Sequence, residues 1–400
     1  MTKVRKPATI ILLLVVSFAS VLAVLFAPAL PQMAKAMKIN SSEAQMILSV
    51  YLVGYAVGVL PYGPLSNRFG RKPTLFIGGS IALLGSLLVI FAAETSCYWL
   101  VILGRVITAL GSAAGLKVVF TIVADIFHKE AAAKKLSVLV LAFATTPGLG
   151  IALGGFLTEQ LGWKSCFYFM AFYCGLMLFL ISRLPETCQC CDPEALNIQK
   201  IRKALFGMFK NRTVVFSGLM MGCGASAIYL FATIAPFIGI NRIGLSPEQY
   251  GLCNFIPPMG MVIGSFWSRY LADRWIMMRT IRLGIYIAAF SAAMMLLLFL
   301  LGYLNAWTLF LPMPCMQIGF TLVYSNASVI AMSHTQDKSN ASAIIHFVNV
   351  GFAVVSLFFM QAIPFHEPFL LPLAFTLLAI GLFGLYRKQL KNRNFNKADP

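Results

Sequence analysis

Arg105 and Lys117 are the residues best placed to do chemistry, because both fall inside one long apolar run. A charge near the centre of a membrane helix costs at least about 2.5–3.5 kcal/mol, so each needs a partner or a purpose. A guanidinium there can brace helix-end carbonyls or gate a pathway, and it can also contact substrate. An ammonium can receive an anionic ligand, or it can snorkel back toward headgroups. No Asp or Glu lies well inside any run, since Glu43, Asp125 and Glu159 stand at run ends. In one unbroken helix, twelve residues at about 100° each leave the two cations about 120° apart, so they do not line one stripe. Further candidates for substrate contacts are Tyr229, Asn254, Gln317, Tyr324, Asn326 and Asn349. His346 titrates near neutrality when unperturbed and is the candidate proton relay.

Catalytic chemistry has little to build on. The four histidines, His128, His334, His346 and His366, are scattered, and no Gly-x-x-x-x-Gly-Lys-Ser/Thr loop is present for nucleotide phosphates. Of nine cysteines, Cys166, Cys174, Cys223, Cys253 and Cys315 fall within apolar runs as packing residues. Cys188, Cys190 and Cys191 cluster in a polar segment with no paired CxxC and no nearby histidine, so no metal or cofactor is expected.

The elements that must position these residues follow from composition. At 59% hydrophobic and 11% charged over 400 residues, the chain lacks the polar surface of a soluble globule. A bilayer core of about 30 Å takes about 20 apolar residues per helix. Runs of that length fall near 8–30, 44–64, 74–93, 98–123, 135–158, 164–183, 213–239, 248–270, 281–303, 305–330, 341–362 and 368–386. They are apolar on every face, which predicts an all-α membrane protein of twelve transmembrane helices, not a barrel. The first run follows Lys3, Arg5 and Lys6 as a signal peptide would, but it is too long and leads directly into another run, so it reads as a retained helix. The polar stretch 184–212 divides two six-helix bundles, 1–183 and 213–387, with a basic tail at 388–400.

With both termini inside, 25 of the 31 basic residues fall on the cytoplasmic side; only Lys35, Lys38, Lys164 and Arg242 fall outside, and Arg105 and Lys117 lie within a span. The net charge of +18 is then a topology signal plus attraction to anionic lipid, and nucleic-acid binding is not needed to explain it. The halves also look alike. Ser42-Glu43 and Ser246-Pro247-Glu248 each open a helix with a cap residue and an early acid, and Gly58/Gly264 and Arg68/Arg274 both match at an offset of 206.

The most specific signal is the loop Gly63-Pro64-Leu65-Ser66-Asn67-Arg68-Phe69-Gly70-Arg71-Lys72. Its glycines permit a tight turn, while its guanidiniums suit helix-end carbonyls or a carboxylate on a neighbouring helix. The loop resembles the signature loop of the major facilitator superfamily. That resemblance implies a gating role for Gly63, Asn67, Arg68, Gly70, Arg71 and Lys72. Asn67 stands where the family usually has Asp, which reduces a charged pair to a hydrogen bond at that position.

Pro28-Ala29-Leu30-Pro31, Arg105 to Gly111 with Ala113-Ala114, Gly154-Gly155 with Gly162-Trp163-Lys164 and Phe167, and Leu184-Pro185-Glu186-Thr187 narrow the resemblance. They point to the bicyclomycin- and chloramphenicol-resistance branch of drug:proton antiporters. Arg105, Pro147, Gly154 and Gly155 join the gating set on that resemblance. Two departures bear on coupling. Val24 stands where the branch commonly has a membrane Asp, and Thr146-Pro147-Gly148 with Gly150 matches the antiporter motif only in part.

The resemblance implies a secondary transporter, not an enzyme, in a bacterial inner membrane, acting as a monomer among membrane lipids. The leading expectation is proton-coupled export of a small molecule (a drug, a siderophore or another metabolite) by alternating access. Burial of two cations without a matching acid favours an anionic substrate. Uptake or exchange of a nutrient by the same fold is the alternative, and a membrane enzyme or scaffold is the reading from another class.

Overall fold

The computed structural model describes residues 8–127, 129–188, 192–197, 199, 202, 207, 209–272, 274–333, 335, 338–363 and 367–390. The basic N-terminal tail, Cys190, Cys191, His128, His334, His366 and the tail beyond Leu390 lie outside these residues. In hydrocarbon a backbone has to satisfy its own polar groups, and among the described residues every regular element is a helix.

Chain contacts divide the molecule into two units, Met1–Arg202 and Lys203–Pro400. The first holds α1 (Thr9–Val24), α2 (Leu30–Met37), α3 (Ser41–Phe69), α4 (Arg71–Glu94), α5 (Tyr98–Ser112), α6 (Ala114–Ile126), α7 (Lys129–Leu161) and α8 (Ser165–Ser182). The second holds α9 (Arg212–Pro236), α10 (Pro247–Cys253), α11 (Ile256–Ala272), α12 (Met277–Leu300), α13 (Ala306–Phe310), α14 (Pro312–Ser333), α15 (Lys338–Gln361) and α16 (Leu370–Leu390). Ten of the twelve predicted spans coincide with helices long and apolar enough to cross a membrane. The other two are the 33-residue α7, which carries Pro147, and the α10–α11 pair, interrupted at Asn254 and Phe255.

Several spans are less regular than their apolar runs suggest. Helix α1 stops at Val24, and a 3-10 turn at Ala27–Ala29 leads into α2, because Pro28 and Pro31 supply no N–H to the helical ladder. The fourth span breaks at Ala113 between α5 and α6. The stretch 184–212 is not a free linker throughout, since Leu184 and Thr187 are buried and the backbone N–H of Asp192 donates to the Asn67 carbonyl at 3.0 Å.

The internal repeat is sharper in space than in sequence. The cap of α3 is Asn40 with Glu43 in a reciprocal capping box, and that of α10 is Ser246 with Gln249. Asn40, not Ser42, is the cap of α3, while Ser246 and the early acids Glu43 and Glu248 stand as expected, and the two capping boxes sit 206 residues apart. Helix contacts repeat as well. A Cβ on Gly58 would meet the Leu110 carbonyl and Ala113 at 3.0 Å, and one on Gly264 would meet the Ile318 backbone at 3.1 Å and Thr321 at 2.9 Å. Gly78 packs on Gly111 and Ala114, while Gly284 packs on Gly319 and Leu322. The second and third spans thus repeat at 206 and the fourth at 208, so both units share one small-residue scaffold.

Candidate functional site

The signature loop forms the turn between α3 and α4, with Gly70 at φ +96°, a conformation that disfavours any side chain. A Cβ there would also strike the Glu186 carboxylate at 2.7 Å. Glu186 caps α4: its Oε1 accepts from the Arg71 backbone N–H and its Oε2 from that of Lys72, both at 3.0 Å. The same carboxylate accepts from the N–H groups of Thr187 and Cys188 at 2.8 Å. Partial burial raises its pKa, but the four N–H donors outweigh that and hold it below the usual carboxylate range.

The Arg71 guanidinium sits at the centre of the cluster. Its Nε donates to Asp125 Oδ2 at 2.9 Å, and its Nη1 donates to the Ser66 carbonyl at 2.9 Å and to Cys188 Sγ at 3.1 Å. Thr187 Oγ1 donates to the same Asp125 oxygen at 3.0 Å, and Lys72 Nζ donates to the Ser182 carbonyl at 2.7 Å. One loop therefore ties together the ends of α3, α4, α6 and α8. The loss of charge at Asn67 does not remove the ion pair, because α6 supplies the carboxylate and Asn67 contributes its main-chain carbonyl. Arg68 is exposed outside this cluster.

Sequence reasoning left Asp125 and Glu186 out of the site. Their signal was available: both acids end a span on the side where the basic loops collect.

Arg105 is wholly buried at the bend in the first span. Its Nη1 donates to the Leu22 carbonyl at 2.8 Å and its Nη2 to the Ala23 carbonyl at 3.2 Å, while the Phe26 and Tyr51 rings each lie 4.4 Å from its guanidinium carbon. These carbonyls end α1 and have lost their usual helical donors. Gly154 of α7 closes on the Leu25 carbonyl of the same bend, and its neighbour Gly155 is also buried. With 0% exposure, Arg105 offers no surface to a ligand in this structure. Pro147 lies within α7, where Thr146 Oγ1 donates to Ser17 Oγ of α1 at 2.9 Å.

Lys117 differs from Arg105 in every respect. It is half-buried in α6, and a Cβ on Gly63 of α3 would come within 2.6 Å of its Nζ. Among the described residues its ammonium has no hydrogen-bond or carboxylate partner. It stands eight residues before Asp125, about 12 Å along a helix from the loop cluster.

In the second unit two of the polar candidates, Asn254 and Asn326, are engaged with their own backbone. Asn254 Nδ2 donates to the Tyr250 carbonyl at 2.7 Å, and Asn326 Nδ2 to that of Leu322 at 2.8 Å. Gln317 is buried, and Asn349 Oδ1 is buried without a partner among the described residues. Tyr229 of α9 and Tyr324 of α14 are half-buried and near enough to interact electrostatically. His346 is half-buried in α15.

The sequence model of the Major Facilitator Superfamily matches residues 12–360. Multidrug resistance protein D of Escherichia coli (strain K12) is 24% identical over 329 residues, covering 81% of this chain and 80% of that protein. A chloramphenicol resistance protein of Pseudomonas aeruginosa is 26% identical over 271 residues, 65% of this chain and 61% of that protein. The fold is similar to the crystal structure of a D-xylose-proton symporter, with a TM-score of 0.74, 14% identity and coverage of 94% and 97%.

Proposed function

We propose, from the premise that this chain belongs to the Major Facilitator Superfamily, that it exports a small anionic molecule across a bacterial inner membrane by alternating access. It is a transporter and not an enzyme. Export is supported by the match with Multidrug resistance protein D along four-fifths of both chains. The loop cluster suits a gate that closes and opens, since its tie between α4, α6 and α8 runs through one ion pair and one capping carboxylate. In this reading both termini and the loop face the cytoplasm. Proton coupling rests on the relatives and on His346, because Val24 leaves the first span without a carboxylate.

The single observation that carries the substrate class is the partnerless ammonium of Lys117. A ligand carboxylate or phosphate would offset its desolvation, whereas a cationic ligand would add like-charge repulsion at low dielectric. Counterflow in proteoliposomes with panels of anionic and cationic compounds, under an imposed pH gradient, tests direction and class together. Lys117→Met keeps length and removes charge, so it should abolish transport of the anionic substrate. Strong cationic-dye transport that survives Lys117→Met sinks the anion claim and leaves export standing; accumulation in the opposite sense sinks export.

A further inference from the structure

The third and sixth spans of the first unit, α4 and α8, pack together and close their loop end internally. Lys72 reaches the Ser182 carbonyl, and Glu186 brings a carboxylate to the start of α4. Helices α12 and α16 form the corresponding pair in the second unit, but their loop end is built from arginines instead. Arg279, Arg282 and Tyr286 recur at helical spacing along one face of α12. Across the seam, the Phe383 ring of α16 lies 6.3 Å from Tyr286 and 6.4 Å from Tyr386, and the Arg387 guanidinium carbon sits 4.8 Å from that same ring. Arg282 is close enough to Tyr386 to interact with it electrostatically.

Arg279, Arg282 and Arg387 are all exposed, and among the described residues none has a carboxylate partner. The sequence supplies none by repeat either, since 206 residues after Glu186 stands Asn392. Beyond the arginines the same two helices expose Phe290, Leu297, Leu377 and Ile380, a surface that suits acyl chains. Charge at the helix ends with apolar side chains beside it is what a phospholipid carries in reverse.

We infer that the α12–α16 seam is a binding site for an anionic phospholipid, with its phosphate held by Arg282, Arg279 and Arg387 and its acyl chains lying along Phe290 and Ile380. The Phe383 ring flanks the Arg387 guanidinium, and guanidiniums make charge-assisted, bidentate bonds to phosphate. A zwitterionic lipid brings its own cation and gains less.

The test uses the full chain purified in a neutral detergent, titrated with cardiolipin, phosphatidylglycerol, phosphatidylcholine or inorganic phosphate, and read by native mass spectrometry. Cardiolipin or phosphatidylglycerol should remain bound where phosphatidylcholine dissociates. Each arginine is worth about fivefold, so Arg282→Gln with Arg387→Gln should weaken binding about 25-fold. Lys35→Gln with Lys38→Gln removes equal charge at a helix end of the other unit and should leave binding unchanged. Equal retention of phosphatidylcholine, an unaffected arginine variant, or full competition by inorganic phosphate overturns the site. If the double variant does not fold, a photoactivatable phosphatidylglycerol on the parent decides: labelling of peptides spanning 279–290 and 377–387 supports the site, and labelling elsewhere overturns it.

Discussion

Arg105 and Met313 stand 208 residues apart, in matching places of the two units, and both are wholly buried. Around Arg105 the first unit places the rings of Phe26 and Tyr51 and the freed carbonyls of Leu22 and Ala23. In the region of Met313 the second unit places no charge among the described residues; Phe310 packs 5.6 Å from Phe231 and 5.5 Å from Tyr250, and Ser291 donates to the Pro312 carbonyl. The same contrast holds at Arg71 and Asp125, whose counterparts, at the offsets of 206 and 208, are Met277 and Ser333. One scaffold was kept twice, whereas among the described residues the buried charge and the ion pairs lie in the first unit. Packing of small residues builds the fold in either unit, while the ion pairs and the lone ammonium mark the first unit as the one with polar chemistry inside it.

The largest expected effect tests that asymmetry directly. Arg105→Met gives the first unit the side chain of the second, and it strands two buried carbonyls at about 1–3 kcal/mol each. Met313→Leu, a volume-conserving change in the other unit, should cost less than about 1.5 kcal/mol. Thermal melting of the two variants in detergent should therefore differ by several degrees. Equal melting would mean that the bend in the first span holds without its clamp.

Sequence reading recovered the spans well and their breaks poorly, for a physical reason. Bilayer thickness fixes the length of an apolar run, so the run is visible, whereas the break at Ala113 depends on how neighbouring helices pack. Pro28 and Arg105 were both noticed, but their link was not, because the donor and the carbonyls it serves lie more than 80 residues apart. The change at Asn67 looked like a lost ion pair, since sequence order hides that the acid partner of Arg71 lies 54 residues beyond it, on another helix. The repeat was seen at Gly58 and Gly264. Its second offset, 208, needed the contacts themselves.

An intermediate effect tests what the units share. Gly111→Ala would drive a methyl into the Ala82 backbone, and Gly319→Ala would do the same at Ala288. Each should destabilise by about 1–3 kcal/mol, and by similar amounts. Gly384→Ala, with nothing within 4 Å of the added methyl, should be neutral or slightly stabilising. A large loss at Gly111 beside none at Gly319 would break the claim of one scaffold used twice.

The smallest effect concerns a cap that, among the described residues, only the first unit has. Glu186 is held below the usual carboxylate range, for although burial raises its pKa, four backbone N–H donors lower it further. Because the folded value lies below the unfolded one, the carboxylate stabilises the protein at neutral pH. That contribution is lost as pH falls through the ordinary glutamate range and past the folded value. The side chain is exposed, so its worth is modest, below about 1 kcal/mol at a helix N-terminus. Glu186→Gln should therefore melt slightly below the parent at pH 7, and the gap should close in acid as the parent's own carboxylate takes up its proton. The α12 start has no side-chain cap, so nothing at that helix end should add to the difference. A gap that stays constant from neutral to acidic pH would show that Glu186 acts through its shape and not its charge, and the electrostatic contrast between the two loop ends would then rest on Arg71 and Asp125 alone.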